Sequence, residues 1–72
     1  MKASQKLYEM RVAEYGEGNE STIRAGKDYA IALRQANRGD EAMTLLTKLL
    51  ATGMQVLGPH HSTTKGVESM LV

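Results

Sequence analysis

The side chains best suited to chemistry lie close together near the end of the sequence, in the stretch LGPHHSTTKGVE. His60 and His61 offer imidazole nitrogens, which are common metal ligands. Ser62 or Thr63 could act as a nucleophile if His61 served as its base and Glu68 oriented the imidazole. These residue types therefore raise two possibilities, a metal site and a hydrolase-like site.

The spacing of these residues favours a structural role instead. Adjacent side chains in a loop point apart, and no cysteine or third histidine stands at ligand spacing. A catalytic hydroxyl needs an oriented base and an oxyanion hole on a rigid scaffold, which neighbouring residues of a linker rarely supply. Hydroxyls ahead of a helix instead cap its free N–H groups, and Pro59 stiffens the turn. We therefore predict no metal, no cofactor and no catalytic residue, in a chain that is not an enzyme.

The composition excludes further classes of protein. A chain of 72 residues forms at most one small domain, which hides only about 60% of the surface of its unfolded form. The absence of cysteine excludes disulfides and thiolate zinc sites. The net charge is +1 with acids and bases interspersed, so no nucleic-acid or membrane partner is expected. No apolar run reaches the roughly 18 residues that span a bilayer, and we expect a soluble, cytoplasmic protein.

Three breaks that contain glycine, at 15–21, 36–40 and 57–62, separate four segments of helical composition. Alanine, leucine, methionine and the longer charged residues dominate, and phenylalanine and tryptophan are absent. The first helix is predicted at about 3–15, and Asn19 or Ser21 caps the second. Asp40 is predicted to cap the third, and the fourth begins between Ser62 and Thr64. Short connections make consecutive helices antiparallel, so the predicted fold class is all-α, built of antiparallel helical hairpins.

Each segment carries an apolar face at steps of three and four residues. The predicted faces contain Leu7, Tyr8, Val12 and Tyr15, then Ile23, Gly26, Tyr29, Ala30 and Leu33, then Ala42, Leu45, Leu46, Leu49, Leu50, Gly53, Val56 and Leu57. Gly16 and Asn37 are predicted to end the first and second helices in the left-handed conformation, which these two residue types tolerate best.

A shift of 42 positions aligns the beginning of the chain with its end. Tyr15-Gly16 falls on Leu57-Gly58, and Ser21-Thr22 falls on Thr63-Thr64. The order of parts repeats as well, from an apolar helix end through glycine and polar residues to a hydroxyl and a new helix. This order predicts a repeat protein, whose units stack because one unit cannot bury its apolar face alone.

The stretch LLTKLLATGMQVLGPHHSTT resembles the helix end and linker of kinesin-light-chain-type tetratricopeptide repeats, which carry a Leu-Gly-Pro-x-His-x-x-Thr linker. Five residues match that linker position by position, namely Leu57, Gly58, Pro59, His61 and Thr64. Upstream, Tyr29-Ala30, Leu33 and Asp40-Glu41-Ala42 resemble the small-residue contact and the start of the family's second helix. The resemblance implies a fragment of a right-handed superhelix, with a complete unit at 19–61, half units at 1–18 and 62–72, and His61 packed or hydrogen-bonded in the turn.

The sequence departs from the family pattern at several positions. Gly26 stands where a bulkier residue is usual, Asn37 replaces a turn glycine, and Lys65 replaces an apolar residue after the linker threonine. The first linker, GEGNEST, keeps Gly16 and Thr22 but lacks proline and histidine. The family assignment therefore depends mainly on the second linker.

Two short motifs have simpler explanations than function. Arg38-Gly39-Asp40 spells an adhesion tripeptide, but a base, a glycine and an acidic cap are also what a turn between helices requires. The second and third helices could suggest a helix-turn-helix DNA reader, whose recognition helix begins with basic and polar residues. Here that helix begins with Asp40 and Glu41, so nucleic-acid binding is not expected.

The resemblance implies a non-enzymatic protein–protein interaction module. The first helix of each unit lines a concave groove in this family, so the polar face of the second predicted helix would contact a peptide. That face carries Arg24, Lys27, Asp28, Arg34 and Gln35. A face that bears arginine and lysine suits acidic peptide segments, because carboxylates accept charge-assisted hydrogen bonds from both.

The alternative function is self-assembly without a separate ligand. The chain carries fewer than two units, and its last segment presents the apolar residues Val67, Met70, Leu71 and Val72. We expect either a fragment of a longer array or a symmetric homo-oligomer that covers these residues, with or without exchange of an end helix.

Overall fold

The computed structural model describes residues 2–71, which form four α-helices and no strand. The helices are α1 (Lys2–Tyr15), α2 (Glu20–Gln35), α3 (Gly39–Val56) and α4 (Ser62–Leu71). Each packs against the next along the chain, and α4 also contacts α2. The predicted all-α fold of consecutive helical hairpins is therefore confirmed, and α2 is the helix that contacts all three others.

The helices end at the residues that the sequence marks. Gly16 and Gly58 follow α1 and α3 with φ values of 81° and 90°, and Asn37 follows α2 with φ of 62°. The N–H of Arg38 donates to the carbonyl of Leu33 at 2.8 Å, which satisfies one of the free carbonyls at the end of α2. Left-handed residues thus reverse the chain at each connection, as predicted for Gly16 and Asn37.

The beginnings of two helices were predicted with mixed success. Asn19 caps α2, since its side-chain oxygen accepts a hydrogen bond from the N–H of Ser21 at 2.8 Å. The prediction of Asp40 as the cap of α3 is wrong, because α3 begins at Gly39 and Arg38 occupies the cap position. Left-handed Asn37 has already turned the chain, so Asp40 lies inside the first turn, where its carboxylate still faces the positive end of the helix dipole.

The core draws apolar side chains from all four helices. Its buried members are Tyr8, Ile23, Ala25, Ala30, Leu33, Ala42, Leu46, Leu49 and Val67. Val12, Tyr29, Leu45, Leu50, Leu57, Met70 and Leu71 are partly buried against them. Full burial of one such aliphatic side chain is worth about 1.5–3 kcal/mol, so this cluster is the main source of stability in a chain without disulfides.

Three residues of the predicted apolar faces are exposed instead. Leu7, Tyr15 and Val56 expose 40%, 52% and 54% of their surface. In α1 the buried face is narrow because the α1 backbone lies next to α2 alone. Val56 lies in the last turn of α3, where its Cγ2 atom would be 3.1 Å from an ideal Cβ at Gly18 in the connection between α1 and α2.

Candidate functional site

The exposed face of α2 carries all five residues predicted to bind a peptide. Arg24, Asp28, Arg34 and Gln35 are exposed and Lys27 is half-buried. Their spacing places them within an arc of about 120° on the helix, opposite the buried residues of α2. The structure therefore brings the five side chains to one face of the most extensively packed helix, so they share a rigid support.

An apolar residue that the sequence analysis missed lies in the middle of this face. Ile31 is seven residues after Arg24 and four after Lys27, and 38% of its surface is exposed. It was missed because the apolar face of α2 was assigned at other positions. Together these six residues are called the α2 face below, and they combine an apolar centre with charged edges.

The charges of the α2 face are not neutralised by neighbours. Within residues 2–71, ion pairs join Arg11 to Glu14, Arg38 to Glu41, Lys48 to Glu17 and His61 to Glu20. No ion pair in that part of the chain involves Arg24, Lys27, Asp28 or Arg34. Three cations and one carboxylate therefore face solvent with their hydrogen-bonding capacity unused by the fold.

The two edges of the α2 face border different helices. On one edge the Lys27 side chain lies over α4, where an ideal Cβ at Gly66 would be 3.2 Å from its Nζ atom. On the other edge Arg24 and Asp28 line a cleft shared with Leu7 and Arg11 of α1. The face is therefore bounded by a helix on each side, which makes it a shallow surface rather than an isolated ridge.

A second concavity of 420 Å³ lies between α2 and α3. Its lining residues are Tyr29, Leu33, Asp40, Glu41, Thr44, Leu45 and Lys48. Its apolar residues stand at core positions in the sequence pattern, so the sequence predicts no function for this groove. The lining residues do not indicate the chemistry of a partner, and we assign no ligand to this groove.

Two side chains in or beside this groove, Tyr8 and Lys48, have raised pKa values. Burial raises the pKa of Tyr8, whose ring centroid is 6.1 Å from that of Tyr29. The hydrogen bond from Lys48 to the Glu17 carboxylate raises the pKa of Lys48 and joins α3 to the connection between α1 and α2. Both shifts have structural causes, and neither group contacts the α2 face.

The histidine stretch serves as a turn. Nδ1 of His61 accepts a hydrogen bond from the N–H of Thr63 at 3.1 Å, so the imidazole caps the first turn of α4. Its Nε2 lies 3.9 Å from the Glu20 carboxylate at the start of α2. The prediction that His61 packs or forms a hydrogen bond in the turn is therefore confirmed, and His60 is exposed beside it. The prediction that a hydroxyl of Ser62 or Thr63 caps this helix is wrong, because the imidazole takes that place.

The other side chains considered for chemistry do not converge. Ser62 and Glu68 are both exposed, and the contact of Thr63 with His61 is made by its backbone N–H. Among the residues that the structure describes, no three His, Cys, Asp or Glu side chains form a group that could hold a metal ion.

The residues predicted for self-association lie mostly in or beside the core. Val67 is fully buried, and Met70 and Leu71 are half-buried against the core. Val72 lies outside the described residues. Since Val67 has no exposed surface, it cannot contact a second folded copy while α4 stays in place. The exposed side of α4 carries Lys65 and Glu68.

No protein-family model matches the chain, and neither a curated protein nor a solved structure matches it. No helix within residues 2–71 is both long enough and apolar enough to cross a membrane.

Proposed function

We propose that this chain is a tetratricopeptide-repeat-like interaction module that binds an acidic segment of a partner protein on the α2 face. The observation that carries the proposal is the set of unpaired cations, Arg24, Lys27 and Arg34, arranged around the exposed Ile31. Charge-assisted hydrogen bonds to carboxylates are stronger than neutral ones, and an apolar centre adds affinity that salt does not screen.

The position of α2 supports this proposal. A helix that packs against three others has a fixed backbone, so binding requires less ordering of the helix than it would on a terminal helix. The repeated turn at Gly16 and Gly58 also agrees with a stack of helical hairpins, in which such a face would be lined up with those of further units. We place this activity in the cytoplasm, because a chain without cysteine needs no oxidising compartment.

Peptides that differ only in charge test the proposal. Fluorescein-labelled peptides with the same apolar residues and with Glu, Gln or Lys at the remaining positions would be titrated with the full chain, and anisotropy would be measured. We expect the Glu peptide to bind most tightly and the Lys peptide least, with the difference shrinking as salt is added. Equal affinities for the three peptides would contradict binding through the α2 face.

Self-assembly is the alternative proposal, and the described surface favours it less. Lys65 and Glu68 occupy the exposed side of α4, and a contact between copies through α4 would have to desolvate both charges. Light scattering of the full chain at micromolar concentration separates the two proposals. A folded monomer excludes self-assembly as the function, whereas a stable dimer that ignores the peptides supports it.

A further inference from the structure

The α3–α4 hairpin is a second copy of the α1–α2 hairpin, 42 residues further along the chain. The left-handed glycines at 16 and 58 are 42 positions apart, and so are the first residues of α2 and α4. Thr22 and Thr64, which share this spacing, are both buried where each pair of helices meets. Residues 2–29 therefore have counterparts at 44–71 in the second hairpin.

In the second hairpin, the cleft between the two helices is covered by α2. Gly26 of α2 packs against Leu49 of α3, and the Lys27 side chain lies over Gly66 of α4. The counterparts of Leu49 and Gly66 in the first hairpin are Leu7 and Arg24. A helix that covered the first hairpin in the same way would contact both of these residues.

In the first hairpin the equivalent cleft is open and has a volume of 230 Å³. Its lining residues are Leu7, Arg11, Ser21, Arg24, Ala25 and Asp28. Leu7 is 40% exposed, although its counterpart Leu49 is 2% exposed beneath α2. The first hairpin thus presents a cleft in which Leu7 is surrounded by polar and charged side chains, and no described part of the chain covers it.

The charges of this cleft indicate the chemistry of its occupant. Arg11 and Arg24 stand where the second hairpin has Gly53 and Gly66. Arg24 forms no ion pair within residues 2–71, and the Arg11 guanidinium is 4.0 Å from the Glu14 carboxylate. Asp28 is the one carboxylate in the lining. Glu14 already pairs with Arg11, so Arg24 is the guanidinium group of the cleft that favours an occupant with a carboxylate.

We propose that the cleft between α1 and α2 binds an acidic helix of a partner protein, with a small residue against Leu7 and a carboxylate against Arg24. The proposal rests in part on the proposed function, because Arg24 and Asp28 belong to both surfaces. The small residue follows from the packing of Gly26 on Leu49, where no side chain fits. The carboxylate is expected over Arg24, because the Lys27 side chain lies over Gly66, the counterpart of Arg24 in the second hairpin.

The α4 helix of a second copy does not meet these requirements. The counterparts of Gly26 and Lys27 in α4 are Glu68 and Ser69, so α4 of another copy would place a long charged side chain against Leu7. It would also leave Arg24 opposite a hydroxyl. The occupant is therefore expected to be a different helix.

The chain supplies its own probe for this cleft. A labelled peptide with the sequence of residues 19–36 carries the glycine and the helix cap, and the change Lys27→Glu gives it the required carboxylate. The unmodified peptide is the matched control. We expect the Lys27→Glu peptide to bind the full chain at least about fivefold more tightly than the unmodified peptide. The change replaces repulsion between Lys27 of the peptide and Arg24 of the protein by an exposed ion pair.

Charge exchange on the protein then identifies the site. Arg24→Glu should reverse the preference, so that the unmodified peptide binds more tightly, and Arg24→Gln should abolish it. Arg11→Glu should weaken the Lys27→Glu peptide, whereas Arg34→Glu, which alters only the α2 face, should not. Equal binding of the two peptides, no binding of either, or a preference that survives Arg24→Glu would overturn the proposal. Loss of binding in Arg34→Glu alone would place the peptide on the α2 face and leave the proposed function standing.

Discussion

An ideal Cβ atom at Gly26 would lie 2.8 Å from Cδ1 of Leu49, closer than the roughly 3.5–4.0 Å at which carbon atoms pack. The Tyr8 ring would be 3.0 Å away on the other side. At this point α2 approaches both neighbouring helices too closely for a side chain. The glycine that departs from the family pattern is therefore required by the packing of this chain.

Alanine should have opposite effects at Gly26 and at Gly66. In a helix interior the change gains up to about 1 kcal/mol from propensity. At Gly26 overpacking costs about 1–3 kcal/mol, because Leu49 is buried and has little room to move. At Gly66 only the flexible end of Lys27 must shift. Urea unfolding should show that Gly26→Ala lowers the free energy of unfolding and Gly66→Ala raises it, and a gain at both positions would contradict the packing described.

Gly58→Ala should destabilise the chain although nothing lies within 4 Å of the added atom. Gly58 has a φ of 90°, and an L-residue in a left-handed conformation costs about 1–2 kcal/mol. Gly39 is the matched control, because it also has open space around it and its φ is not positive. Thermal unfolding should show a loss for Gly58→Ala and none for Gly39→Ala. Similar effects of the two changes would mean that the turn is not held in the left-handed form.

His61→Ala should remove the cap of α4. The imidazole accepts the hydrogen bond from the N–H of Thr63, and loss of a side-chain cap costs about 0.5–2 kcal/mol. His61→Asn keeps an acceptor near the same place and should retain most of that stability. His60→Ala changes an exposed neighbour and should stay within about 0.5 kcal/mol of the native chain. If His60→Ala were as damaging as His61→Ala, the cap would not be the cause.

Stability should fall at alkaline pH because of Tyr8. Burial raises the pKa of Tyr8 above its ordinary value of 10.0, so the folded chain holds the phenol proton more tightly than the unfolded chain. The contribution is complete below that value and is lost as pH rises through the raised pKa. The pKa of Lys48 is also raised, by its hydrogen bond to Glu17, and adds a loss in the same direction.

Free energies of unfolding measured from about pH 9 to about pH 11 should fall less steeply in Tyr8→Phe than in the native chain. An unchanged slope would show that Tyr8 is not the group responsible.

Local chemistry made several features predictable from the sequence. Gly16, Asn37 and Asn19 act through their own backbone conformation or through a neighbour two residues away, so no tertiary information was needed to place them. The prediction of the α3 cap failed because of local backbone conformation as well. Asn37 adopts the left-handed conformation and turns the chain early, so α3 begins at Gly39 and Asp40 lies within its first turn.

Features that depend on contacts between helices were predicted less well. Leu7 has the right spacing for the core, but whether it is buried depends on a helix that would have to cover α1. Val67 was predicted to lie at an exposed end of the chain, but the packing of α4 places its side chain in the core. Ile31 lies among the charges of the α2 face, and Arg11 lines the cleft between α1 and α2. Their proposed roles depend on these neighbours, which only the packing of the helices reveals.

The most direct test of the proposed function is the affinity of the acidic Glu peptide for Lys27→Glu/Arg34→Glu, since neither residue lines the cleft between α1 and α2. The matched control is Lys2→Glu/Lys6→Glu, which makes the same change in net charge on exposed positions of α1. Circular dichroism would verify that both variants keep their helices. We predict at least about a tenfold loss of affinity in the α2 variant and less than about twofold in the control, because only the first replaces attraction at the binding face by repulsion. Equal losses in the two variants would show that net charge alone attracts the peptide, and would contradict binding at the α2 face.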